Sequence, residues 1–389
     1  MNLISDFNDK IQIITPDDGY HYFFAYYDMR ATGEGINNRH LVHRVKFMDR
    51  LQNADDVCEI GYLEKGQFHL IATTTAWNFQ QGAMLQYHPF RENTVYYNVC
   101  ENGKFMMVTH NFVTGEKSYT DRATACVSPD GKWGLAVNFG RIFAFRPGYG
   151  YAGFVDENAD VNAPDNDGIY LTDMISGTSK MILSYSDMRE ECGFDKDDKI
   201  LVNHITFSAS SDRFIALVRN FPKEGNKGWS TTAIIGRPDG SFRVLLKRTY
   251  FSHYRWISEN RLVAHCSAVN SDRNLYILCS DDSSYEECFS QEHNSFLGND
   301  IHCTLSPNGK YIIGDGYPDK EGYRNLYAHN LETGNNGIFL RVKTIRPPVD
   351  DIRCDLHARY VFGGNTMSFD TVHNGKRQIA TFSLDEIKI

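Results

Sequence analysis

The chain predicts an all-β, seven-bladed β-propeller of four-stranded antiparallel blades, and three observations carry that expectation. A strand–turn–strand signature recurs along the chain, four histidines return about one repeat apart, and no long amphipathic helix breaks the pattern. The signature is an apolar run, then Ser-Pro-Asp-Gly-Lys or a decayed version, then a second apolar run. Pro-Asp-Gly and Pro-Asn-Gly supply a proline-fixed φ and a residue tolerant of positive φ, which is hairpin chemistry.

Taken in order, two weak copies come first, at Thr32–Val42 and Met84–Tyr97. The third is Cys126–Val137, the fourth Ile205–Val218, the fifth Trp256–Ala264, the sixth Leu305–Gly314 and the seventh Tyr360–Phe369. Outer hairpins follow in several units, as at Ile169–Asp173 before Ser-Gly-Thr and Leu326–Asn330 before Glu-Thr-Gly. Closing seven such units into a ring removes most exposed sheet edges. The third unit carries a long insertion at about 141–168. Its aromatic and basic start is expected to fold over a site, and its acidic, proline-containing remainder to be solvated. No linker divides the chain, so residues 1–389 read as a single propeller domain.

Composition narrows the partners. With 40 Lys and Arg against 49 Asp and Glu, the formal net charge is −9, and no basic run is present. Such a field disfavours nucleic acid and anionic membranes, and a polyanionic substrate would need a local cationic pocket. The nine cysteines are scattered without a CxxC, and the N-terminus lacks a charged segment followed by an apolar core. No apolar run approaches the roughly 20 residues of a membrane span. A cytoplasmic protein with reduced thiols is the expectation.

The chemistry is expected at the hub. His204, His253, His302 and His357 follow one another at 49, 49 and 55 residues. Each opens what reads as the innermost strand of a blade, and one register in successive blades faces one channel. Sliding that register back places Thr124 in blade three, Gln81 in blade two, and Tyr26, Tyr27 or Asp28 in blade one. Neutral imidazoles with Asp355 beside them suit a borderline divalent ion such as Mn²⁺ or Zn²⁺. The competing reading is four histidines hydrogen-bonded to backbone and water. Asp315 and Asp370 each follow the second strand of a blade and read as structural carboxylates or partners of the histidines. Cys354 is a further candidate ligand, whereas strand alternation turns Cys303 away from His302. Trp77 and Gln81, in Trp-Asn-Phe-Gln-Gln-Gly, read either as a sugar-stacking floor or as packing. The remaining histidines, His293 among them, read as surface or packing.

At Asn203-His204-Ile-Thr-Phe-Ser, Ser252-His253-Tyr-Arg-Trp, His302-Cys-Thr-Leu-Ser-Pro-Asn-Gly-Lys with Gly314-Asp-Gly, Asp355-Leu-His357 and Gly375-Lys-Arg-Gln, the chain resembles the oligogalacturonate lyases. These are cytoplasmic seven-bladed propellers with a manganese-type site, and the likeness is best from about residue 200 onward. The resemblance implies a carbon–oxygen lyase that cleaves uronate-containing oligosaccharides by β-elimination. It implies His204 as the catalytic base, and His253, His302, Asp355 and His357 around a divalent metal, manganese first, with zinc or calcium as alternatives. Arg146 and Tyr151 join the catalytic set; Tyr149 and Arg353, with Trp77 and Gln81, join the substrate-binding set. One departure is visible: the family's Gln-x-x-His-x-His cluster stands here as Asp355-Leu-His357, with a carboxylate replacing one imidazole. A non-catalytic carbohydrate-binding or scaffold propeller and a propeller glycoside hydrolase are the alternative functions.

Overall fold

Seven separate four-stranded antiparallel sheets account for the strands of the structure, a computed structural model describing residues 10–33, 38–222, 228–268, 273–287 and 300–386. Cys288, His293, the first nine residues and part of the first weak repeat lie outside the described residues. In six blades the strands run in chain order from the innermost outward, so each blade is a simple meander. Innermost strands are His21–Phe23, Gln86–Tyr87, Thr124–Val127, Ile200–Phe207, Phe251–Trp256 and His302–Leu305 for blades one to six. Blade seven starts with Arg359–Val361 and takes its outermost strand, Gln12–Ile13, from the other end of the chain. Gln12 pairs with Thr381 and Ile13 with Ala380, so the ring is closed by backbone hydrogen bonds between the two chain ends. The seven-bladed propeller read from the repeats is the fold observed.

Apolar residues from facing sheets fill the spaces between blades. One junction packs Leu326, Phe339 and Leu340 of blade six against Met367, Phe369 and Phe382 of blade seven. Polar side chains then fasten each blade to the next. Asp370, on the second strand of blade seven, accepts the backbone N–H groups of Phe24 (3.0 Å) and Ala25 (2.9 Å) leading into blade one. Its other oxygen is bound by the buried Arg359. His43 of blade one accepts the N–H of Ala83, and Asn98 of blade two accepts that of Thr124.

The insertion is organised in two parts. It contains a short helix, α1 (Phe139–Phe145), capped by Asn138, and then a loop wound around one buried guanidinium. Arg141 donates to the carbonyls of Asn158, Val161, Asn162 and Ile200 and to Asp156. Most buried polar groups in proteins are satisfied, and here a single arginine satisfies a whole loop. The tail is solvated as expected, with Val155, Glu157, Ala159, Asp160 and Val161 exposed, and it is also stapled by Arg141 before it rejoins blade three at Gly168.

Two predictions follow from these junctions. Asp370→Ala leaves Arg359 and two backbone donors unmatched in the interior, and should lower unfolding free energy by about 3–5 kcal/mol in urea titrations. His40 and His43 are both lowered to about 3, chiefly by burial. The unfolded chain therefore binds protons first, and stability should fall as pH drops below about 6.5, by up to about 1.4 kcal/mol per unit per imidazole. Urea midpoints at pH 6.5 and 5 check this, and equal midpoints would remove the explanation.

Candidate active site at the hub

Local backbone irregularity aims the histidines inward. A bulge between Asn203 and Ile205 puts His204 at φ +52°, and a second irregularity lies between Phe251 and Tyr254, around His253. His302 opens its strand, and His357 sits two residues ahead of blade seven's first strand at φ +46°. Bulges re-aim side chains in this way, and non-glycine residues at positive φ cost about 1–3 kcal/mol each.

The four rings converge. Centroids are 6.0 Å apart for His204 and His253, 4.0 Å for His253 and His302, and 4.3 Å for His302 and His357. Tyr26 and Tyr27 of blade one fill the opposite side of the hub. Tyr26 lies parallel to His204, and the Tyr27 ring is 5.7 Å from His302 and 5.6 Å from His357. All four histidines are at least nine-tenths buried except His204, which is partly exposed.

Ligand atoms of His302, Asp355 and His357 lie within 4.8 Å of one another. Asp355 Oδ2 is 3.9 Å from His302 Nε2 and 4.0 Å from His357 Nε2. Its Oδ1 is occupied by Arg324 at 2.6 Å and Arg353 at 3.0 Å. Arg353 Nη2 also comes within 3.0 Å of Oδ2, but at an angle that makes no hydrogen bond, so this buried oxygen is unsatisfied. Metal bonds to nitrogen and oxygen of about 2.0–2.2 Å let one ion reach donors spaced this way after small shifts. Two imidazoles and a carboxylate form a borderline donor set, and the residues present fit a divalent cation. His253 and Cys354 are not in this three-residue group.

Partners of the ring nitrogens decide which lone pairs face the hub. His253 Nδ1 is 2.7 Å from Asp300 Oδ1, and a carboxylate only accepts, so Nδ1–H donates and Nε2 keeps its lone pair. Ser252 donates to the other oxygen of Asp300. His302 is arranged alike, with Nδ1 3.3 Å from Asp315 Oδ2, which leaves Nε2 for Asp355 and His357. His204 is the reverse. Its Nδ1 faces the Tyr26 hydroxyl at 3.3 Å and the Gln81 amide nitrogen at 3.4 Å, both donors as placed, so the proton resides on Nε2.

Burial favours the neutral, ligating form of His204, His253 and His357, whereas the carboxylates around His302 favour its protonated form. Burial and then Arg219 push His204 well down; burial and then His302 push His357 well down. His253 is lowered to about 4, because burial outweighs Asp300. For His302 burial acts downward, but Asp315, with Asp355 and Asp300, prevails and raises it. Burial alone would raise Asp355; Arg353 and Arg324 hold it well below the usual carboxylate range.

The remaining expected residues divide. Tyr149 reaches the hub: its ring is 5.7 Å from His204 and its hydroxyl accepts from Arg353 at 2.8 Å. A Cβ on Gly148 would collide with Asp351, and one on Gly150 with Phe143, so both glycines are needed for this approach. Arg146 lies beside Tyr149 at the mouth, paired with Asp351 at 3.0 Å. Gln81 is at the site, and Arg353 is present as the partner of Asp355. Three positions are corrected. Tyr151 is fully buried, stacked on Phe139 at 4.2 Å and bonded to Asn98, so it is core. Trp77 is fully buried among Phe23, Phe47 and Phe79, with its indole N–H on the Asp56 carbonyl, and offers no stacking floor. Thr124 donates to Met107 sulfur at 2.6 Å and is not a channel group. Asp370 serves blade one, not the histidines. Sequence reasoning missed Asp300, Arg324 and Tyr317. Only Asp300, two residues before His302, had a positional hint.

A seven-bladed propeller with a buried histidine–carboxylate hub is thus the class that fold and site define. Among solved structures, the chain is similar to the oligogalacturonate lyase from Vibrio parahaemolyticus, at 13% identity and a TM-score of 0.66, covering 96% of this chain and 93% of that one. It is also similar to a puromycin-hydrolyzing peptidase of Mycobacterium tuberculosis (11% identity, TM-score 0.53, 92% and 53% covered). The tricorn protease matches at 10% identity and a TM-score of 0.51, with 97% of this chain and 34% of that one covered. At such identities the likeness establishes the propeller. No family model and no curated protein matches the sequence.

Metal content tests the cluster directly. Purified protein should hold about one divalent ion per chain, and His302→Ala or Asp355→Ala should lose it. Saturation at 100 times Kd should stabilise the fold by about 2.7 kcal/mol in thermal or urea titrations, and not in the variants.

Proposed function

We propose that the protein is a metal-dependent lyase that cleaves uronate-containing oligosaccharides by β-elimination. The observation that carries this reading is the meeting of two kinds of group at one hub. A three-donor cation site, His302, Asp355 and His357, adjoins an imidazole whose Nε2 lone pair is freed by a carboxylate, His253 with Asp300.

β-Elimination from a uronide needs both. The proton α to the carboxylate is very weakly acidic until the carboxylate charge is offset. A divalent ion held by the three donors would supply that offset when bound. Arg146 and Arg353 flank Tyr149 and are paired with Asp351 and Asp355, so an anionic substrate would compete with those carboxylates for them.

His253 is the base in this reading, in place of His204. Asp300 fixes its tautomer and offsets the charge that forms when Nε2 takes the proton. His204 presents an N–H and is suited to donate a hydrogen bond to substrate oxygen. Tyr149 and Tyr317, both near Arg353, are the hydroxyls placed to protonate the leaving 4-oxygen. The burial of the hub excludes water from the reacting carbon and strengthens each of these interactions.

The experiment is a panel of oligouronides followed by ultraviolet absorbance of the unsaturated product. Activity should appear with divalent metal and vanish with chelator. His253→Ala should lower kcat by about 10²–10⁴-fold, the usual contribution of a general base. Cleavage that survives chelation, or a His253→Ala enzyme with full kcat, would sink the mechanism.

A further inference from the structure

The hub is closed in this structure. His253, His302, Asp355 and His357 are each at most 6% exposed, so a ligand of sugar size reaches the three-donor group only after a covering segment moves. Two segments close over the rings. Tyr26 and Tyr27 are held by their lead-in, where Asp370 binds the Phe24 and Ala25 N–H groups. The second is a strap, residues 146–151 of the insertion, which carries the Tyr149 ring to 5.7 Å from His204.

Polar contacts anchor the strap to a distant part of the ring. It leaves α1 in blade three and meets residues 350–353, which lead into blade seven on the far side of blades one and two. Joining these two parts takes the strap across the end of the hub, beside His204. Arg146 is paired with Asp351 at 3.0 Å, and the Gly148 N–H donates to the other oxygen of that carboxylate at 3.3 Å. The Tyr149 hydroxyl accepts from Arg353 at 2.8 Å. Gln80 donates its backbone N–H to the Gly148 carbonyl and its side-chain amide to the carbonyls of Asp351 and Arg353. Gln52 donates to the carbonyls of Pro147 and Gly150.

Among these contacts the ion pair is the exchangeable one. The side chains of Arg146 and Asp351 are 26% and 15% exposed, and Asp350, 4.0 Å from the same guanidinium, is 78% exposed. Ion pairs at the solvent edge contribute little net stability, and a guanidinium binds any carboxylate through the same fork of donors. A ligand carboxylate arriving at Arg146 therefore offers what Asp351 offers. Its gain frees two groups together, because Asp351 holds both Arg146 and the Gly148 N–H.

We infer that the strap is a clasp over the hub which an anionic group opens. The carboxylate of the ligand takes Arg146 from Asp351, and residues 146–151 carry Tyr149 away from His204. Charged ligands are thereby admitted and neutral ones of the same size kept out, so the Arg146–Asp351 pair sets specificity before any chemistry begins. The inference rests on the lyase reading only for uronate as the anion.

Hydrogen exchange on the metal-free protein tests it, because the Gly148 amide is bonded to Asp351 itself. Saturating galacturonate should raise exchange across residues 146–151 by about tenfold, and galactose should leave it unchanged. Asp351→Asn should exchange at the raised rate without ligand, and Asp351→Glu, which keeps the charge, more slowly than Asp351→Asn. Unchanged exchange in blades four to six shows that each variant keeps the fold. In zinc-loaded protein, Asp351→Asn and Gln52→Ala should each lose metal to excess chelator about tenfold faster than the wild type. A strap that galacturonate loosens no more than galactose does, an Asp351→Asn strap as slow as the wild type, or equal metal loss in all three chains would overturn the clasp. The two readings fail separately. Opening by galacturonate without unsaturated product from any oligouronide would refute the lyase and keep the clasp. Cleavage by a wild type whose strap ignores galacturonate would do the reverse.

Discussion

The Asp315 carboxylate ties the hub together. One oxygen accepts the backbone N–H of His357 and the other that of Leu356, each at 3.0 Å, while the second also faces His302 Nδ1. A single fully buried group thus fixes the ring of one candidate ligand and the backbone of another, from two different blades. Without it His357 would have to hold a left-handed conformation with no compensating contact. Burying a carboxylate is costly unless its lone pairs are filled, and here every filling partner belongs to the site. Stability and site geometry are the same interaction at this point.

Other junctions use the same device with different chemistry. Asp370 grips Phe24 and Ala25, and so sets the lead-in that brings Tyr26 and Tyr27 to the hub. Where the facing group is a carbonyl the clamp becomes a donor: Arg219 binds the Phe251 carbonyl ahead of His253. At Thr124 an amide suffices, because Asn98 can accept and donate in one contact. The propeller is therefore a ring of polar latches laid over apolar packing. The hub residues sit close to these latches, where backbone position is well defined.

The periodic part of this design was legible before any coordinates. Hairpin signatures at a steady spacing report the blade, because every blade must turn in the same place to close the ring. The histidines were legible from their spacing, although they do not share one strand position: His204 and His253 lie within their strands, His302 opens its strand and His357 precedes its own. What escaped were contacts made between units. Asp300 and Arg324 act on His253 and Asp355 from neighbouring segments, and apart from the nearness of Asp300 to His302 sequence spacing carries no signal for such pairs. Aromatic residues misled for a different reason. Trp77, Tyr149 and Tyr151 share loop settings rich in glycine, yet two are core and one reaches the hub. Type and neighbourhood do not report depth; Gly148 and Gly150 decide it by letting the chain pass close to Asp351 and Phe143. His204 was legible as a hub residue, but its tautomer was not, since that depends on partners that lie far away in sequence.

Asp355 occupies a position where an imidazole was expected by resemblance, and its surroundings account for the exchange. An anionic donor at the centre of a buried hub needs positive charge nearby even before any ion binds. Arg324 and Arg353 provide it, and both are themselves almost wholly buried. Arg353 donates to Oδ1 and Arg324 is ion-paired with the same oxygen, so the carboxylate is fixed in orientation with Oδ2 left facing His302 and His357. A neutral imidazole would remove the nearest counter-charge of both buried guanidiniums, leaving Arg324 with Asp315 at 4.0 Å and Arg353 with Asp350 at 3.4 Å. Carboxylate and arginines therefore belong together as a set. Through Arg353 that set reaches Tyr149, whose ring lies 5.7 Å from His204, so one carboxylate also shapes the packing on the far side of the hub.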